Sequence, residues 1–81
     1  MTNRTKIRHL RAACDFAKAG EFVALCDRSR DAVSAYLRGD TWPPAEVLVR
    51  IRNHLDRIKA DYDPEWFIPA ASHDQQQERA Q

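Results

Sequence analysis

The sequence predicts an all-α domain, a compact bundle of four to five helices, on three observations. Apolar residues recur at steps of three and four along most of the chain, the period of a helix that buries one stripe. No stretch alternates apolar and polar residues for long enough to make a strand. The two glycines and four prolines fall between the periodic segments rather than inside them.

Residues 1–6, MTNRTK, hold Arg4 and Lys6 with no acidic residue and nothing apolar between Met1 and Ile7, and read as a mobile basic arm. Ile7, Leu10, Cys14 and Ala17 then set the stripe of a first helix over residues 6–19. Gly20 punctuates the chain. A short second helix over 21–26 follows, its start as early as residue 19, with Glu21 placed to favour the N-terminal end of the helix dipole.

Ser29 can accept a hydrogen bond from the Ala32 amide and so cap a third helix over 30–38, whose apolar face is Val33, Tyr36 and Leu37 and whose stop is Gly39. DTWPP is a loop, in which Trp42 is expected to pack on the core, and Pro44 suits the first turn of a fourth helix. That helix carries Val47, Leu48, Ile51, Leu55 and Ile58 on one stripe. Asp63 and Pro64 then open about one further turn before Pro69, and residues 70–81 are polar enough to read as a flexible tail. The domain proper is therefore expected over 7–69.

Composition bounds the function. With 81 residues, 43% hydrophobic and 31% charged, the chain makes one small globular domain whose modest core favours self-association. The apolar runs fall far short of a membrane span and the N-terminus has no signal-peptide core, which predicts a cytoplasmic protein. Cys14 and Cys26 form neither a metal-ligand pair nor a disulfide framework and are expected as packed thiols rather than a redox switch.

His9, His54 and His73 lie far apart and match no metal spacing, and the chain has no nucleophile-base signature and no glycine-rich phosphate loop. The expectation is no enzyme, no cofactor, no metal and no small-molecule ligand.

The net charge of +1 conceals an asymmetry. Residues 1–52 hold ten Lys/Arg against six Asp/Glu, and residues 53–81 hold three against six. An anionic partner is therefore expected on the first part of the chain.

Two short helices joined by a tight turn, the second polar on its outer face, make a helix-turn-helix pattern. With IRHLRAA in the first helix, FVALC in the second, SRDAVSAYLRG in the third and PPAEVLVRI in the fourth, residues 7–58 resemble the Cro and phage-repressor (Xre-like, lambda-repressor-like) family. Two positions depart from its pattern. Ala19 stands where many members carry a glutamine, a contact Lys18 is placed to replace, and Asp27 stands at the inter-helix glycine.

The resemblance implies base contacts from Arg28, Arg30, Asp31 and Ser34 at the front of the third helix. It implies phosphate contacts from Arg4, Lys6, Lys18, Ser29, Arg38 and Thr41, with Arg4 and Lys6 following the duplex backbone or dipping into a minor groove. An arginine at position 30 can donate two parallel bonds to guanine O6 and N7, and Asp31 can accept from a cytosine amine or orient Arg30.

Trp66, Phe67 and Ile68 are three consecutive large apolar residues outside the four-helix stripe. They either fold back onto the first and fourth helices or present a patch to a second subunit, and the dimer contact is expected from Leu55, Ile58, Tyr62, Trp66, Phe67 and Ile68. The function this implies is a sequence-specific double-stranded DNA-binding regulator. It would be a homodimeric repressor occluding an inverted-repeat operator, of the phage, mobile-element, antitoxin or anti-CRISPR-associated type. The alternative is a protein-interaction module on the same scaffold that binds a toxin or a polymerase subunit, favoured by the near-neutral total charge and the PEWFIP segment.

Overall fold

The computed structural model describes residues 1–70. The tail expected over 71–81, with His73, lies outside the described residues. Four α-helices and one 3-10 turn account for the regular structure, and no strand occurs among the described residues: α1 (Asn3–Ala13), α2 (Ala19–Cys26), α3 (Arg30–Arg38), α4 (Ala45–Arg57) and η1 (Pro64–Phe67).

The helices gather around Ile7, Leu10, Cys14, Phe22, Cys26, Val33, Tyr36, Val47, Ile51 and Leu55, which form one buried cluster. Each helix contributes at its own step of three or four, so the amphipathic pattern becomes a single core. Trp42 packs against this cluster from the loop after α3.

The first helix corrects the expectation at both ends. Thr2 accepts the Thr5 amide on its hydroxyl at 3.1 Å, so the helix starts at Asn3 and residues 3–6 are its first turn, not a mobile arm. At the other end Asp15 takes a left-handed conformation, φ 55°, and α1 stops at Ala13 rather than running on to residue 19. The chain enters α2 at Ala19, where the Lys18 amide donates to the Glu21 carboxylate at 2.9 Å.

Left-handed residues end the other helices too. Asp27, φ 55° and ψ 44°, turns the chain from α2 toward α3 within residues 27–29. Gly39, φ 82°, closes α3 with its own amide on the Tyr36 carbonyl at 3.1 Å and the Asp40 amide on the Ala35 carbonyl at 3.0 Å, a Schellman arrangement. Lys59, φ 57°, repeats the arrangement after α4, with the Ala60 amide on the Leu55 carbonyl at 2.9 Å. Pro44 is the N-cap of α4 rather than a residue inside it.

The C-terminal segment folds back on one flank of α1. Trp66 stacks on His9 with ring centroids 5.1 Å apart, and Lys6 Nζ donates to the Ile68 carbonyl at 2.6 Å. The Ala70 amide donates to Asn3 Oδ1 at 2.6 Å, so Ala70, expected as the start of a free tail, is instead buried against the start of α1. Asp63 caps η1 by accepting the Glu65 amide at 3.0 Å.

Candidate functional site

The α2–α3 connection and the first turns of α3 are set by local chemistry. Aspartate adopts the left-handed region more readily than most residues, so Asp27 makes the reversal without a glycine. Two residues later the Ser29 hydroxyl accepts the Ala32 amide at 3.1 Å and fixes where α3 begins. Val33 and Tyr36 face the core, while Arg30 and Asp31 stand exposed and Ser34 half-exposed at the leading end of the helix.

Arg28 has a different task. Its guanidinium donates to the Asp27 carbonyl at 3.1 Å and forms an ion pair with Glu46 in the first turn of α4. It therefore braces the turn to α4, with its side chain still 30% exposed. Arg50 supports the same junction by donating from Nε to the Leu25 carbonyl at 2.8 Å, near the end of α2.

Lys6, expected on phosphate, is 6% exposed and engaged on Ile68, so it is not available to an external anion. The other expected phosphate contacts, Arg4, Lys18, Ser29, Arg38 and Thr41, are all at least partly exposed. Arg38 Nε donates to Asp40 Oδ2 at 2.8 Å in a solvent-exposed pair.

Two basic residues that sequence reasoning passed over complete this surface. Arg8 donates from Nε to the Leu37 carbonyl at 3.1 Å, satisfying one of the carbonyls left open at the end of α3. Arg11 shares a groove of about 240 Å³ with Arg30 and Ser34, floored by Phe22, Val23, Val33 and Leu37 and edged by Gly20. Arg11 and Lys18 also line an adjoining hollow of about 320 Å³ with Asp15 and Phe16. The i, i+4, i+7 spacing of Arg4, Arg8 and Arg11 was the available signal, since it puts all three on one face.

The expected dimer residues separate into three groups. Leu55 is fully buried in the core and belongs to no interface, because the stripe that places it on α4 faces the core cluster rather than solvent. Tyr62, Trp66 and Phe67 pack against the chain's own core, Tyr62 meeting Phe67 edge-on at 5.3 Å and donating its hydroxyl to Asp56 at 2.8 Å. That hydrogen bond to the carboxylate pushes the Tyr62 phenol above its usual range. Only Ile58 and Ile68 of the six remain exposed large aliphatics, and Val49 joins them.

Cys14 and Cys26 are buried free thiols, and burial pushes both up to about 11 from an ordinary 9.0, with the neighbouring Cys26 adding to the effect on Cys14. They are poor nucleophiles at neutral pH. Among the described residues no three His, Cys, Asp or Glu side chains gather as a metal site, and no helix is long and apolar enough to cross a membrane. No protein-family model, curated protein or solved structure matches the chain.

Proposed function

We propose that this protein is a sequence-specific double-stranded DNA-binding regulator of the Cro and phage-repressor helix-turn-helix type, in which α2 supports and α3 reads. The observation that carries the proposal is the outer face of α3. Its first turn exposes Arg30 and Asp31 beyond a side-chain cap, and Arg11, Arg8 and Arg4 of α1 lie along its flank.

Arg30 is the principal reader in this account, with bidentate donation to guanine, and Asp31 accepts from a cytosine amine or orients Arg30. Ser34 in the groove allows close approach of a base edge. Arg38, Thr41, Lys18 and Ser29 are assigned to the margins, where phosphate contacts fix register without carrying sequence. Arg28 contributes by holding the α2–α3 turn on Glu46.

One domain of this size reads few base pairs, so two copies on half-sites about one helical turn apart are the natural binding unit. The apolar surface for such pairing is a shallow groove of about 210 Å³ lined by Ala45, Leu48, Val49, Arg52 and Phe67, together with exposed Ile58 and Ile68. Occupation of an inverted repeat by the pair represses by occlusion. The same apolar groove favours the second reading, a module that docks on another protein.

Selection of bound sequences from a random duplex library tests the proposal. The DNA-reading account expects enrichment of a motif with two related half-sites. A library that stays unenriched after repeated rounds contradicts it.

A further inference from the structure

We propose that Arg4, Arg8 and Arg11 form a phosphate track on α1, a second DNA-contacting element that takes the backbone of one strand while α3 occupies the groove beside it. The inference rests on the reading of α3 as a DNA-binding helix and adds a partner strand and a set of residues to it.

The placement of the three arginines is fixed at three points along α3. At one end Gly39 lies so close to Arg4 that a Cβ on the glycine would come within 2.9 Å of the Arg4 Cβ. Close by, in the same last turn, Arg8 Nε bonds the Leu37 carbonyl. Toward the leading end Arg11 shares the groove of Arg30, Val33 and Ser34. The row therefore runs beside the whole reading helix, from its last turn to its first.

Its length matches a backbone. Seven residues of helix at 1.5 Å rise span roughly 10 Å, long enough to meet more than one phosphate of a single strand.

The fold itself gains little from the row. Like charges three and four residues apart on a helix repel one another. The ion pairs among the described residues are Arg28–Glu46 and Arg38–Asp40, so none of the three arginines is neutralised within that part of the chain. Arg4 and Arg11 make no side-chain hydrogen bond among the described residues, and Arg8 uses only its Nε, leaving the outer nitrogens of its fork for an anion.

The opposite flank of the same helix shows the contrast. There Lys6, Asn3 and His9 are all engaged by the returning segment 66–70. One flank of α1 is closed by the chain, and the other presents three guanidinium groups alongside α3.

The test is the salt dependence of binding to a selected duplex, measured by fluorescence anisotropy for the parent, Arg11→Gln alone and the triple variant R4Q/R8Q/R11Q. Each arginine withdrawn from a phosphate should make the slope of log K against log salt shallower by about 0.9, hence by about one for Arg11→Gln and nearly three for the triple variant. The ratio of selected to random affinity should stay unchanged in both. Arg11→Gln removes no intramolecular bond among the described residues, so it carries the test even where removal of the Arg8 bond weakens the fold. A steep parent slope that both variants share overturns the track alone; a parent whose binding ignores salt overturns both the track and the reading of α3.

Discussion

Gly39 and Arg4 touch across the fold: with φ 82° the glycine lies directly on the backbone of Arg4, a Cβ at position 39 falling 3.1 Å from the Arg4 amide nitrogen. The last turn of α3 is thereby seated on the first turn of α1. This contact registers the arginine row of α1 against α3.

Gly39→Ala should accordingly cost stability on two counts. The left-handed conformation costs an alanine roughly 1–2 kcal/mol, and the backbone of Arg4 cannot yield as a flexible side chain would. The expected destabilisation is about 2 kcal/mol, or a fall of about 10 °C in the melting temperature for a domain of this length. Thermal and urea unfolding followed by circular dichroism measure it; an unchanged midpoint would show that the two turns are not in contact.

The buried thiols predict an alkaline limit. Their folded-state values stand near 11 against an ordinary 9.0, so the protonated thiols favour the folded state. That contribution is fully present below about pH 9 and disappears as pH rises from there through about 11. Urea midpoints should fall over this window, and the fall should be shallower in the double variant Cys14→Ala/Cys26→Ala. The native thiols should also react with a thiol reagent at about pH 8 only as fast as the chain opens.

Val49→Glu and Trp66→Ala should separate pairing from folding. Val49 is 43% exposed and lines the apolar groove on α4, so a carboxylate there should shift sedimentation toward the monomer while leaving the melting temperature nearly unchanged. Trp66 stacks on His9 and packs on the chain's own core, so its truncation should lower the melting temperature first. Dissociation of the pair by Trp66→Ala with stability intact would extend the interface to Trp66 itself.

The third helix is legible in the sequence because everything that delimits it is local: Ser29 caps it, Gly39 ends it, and Val33 and Tyr36 fall on one stripe. The start of α1 is equally local, yet Thr2 is a weak signal because no apolar residue follows it until Ile7. Its end turns on Asp15 adopting the same left-handed conformation that Asp27 adopts after α2. Lys6 and Arg28 escape sequence reasoning for another reason, since their partners lie 62 and 18 residues away and only tertiary packing brings them together. Arg8 and Arg11 are visible as a spacing but acquire meaning only once α3 lies beside them.

The most direct measurement of the central claim is the affinity of Arg30→Ala for a selected duplex relative to a scrambled one of the same length and composition. If α3 reads sequence, removing one bidentate contact should lower that ratio by about 5- to 150-fold, equivalent to about 1–3 kcal/mol, with little change in binding to the scrambled duplex. A ratio equal to that of the parent would show that the leading end of α3 is not the reader.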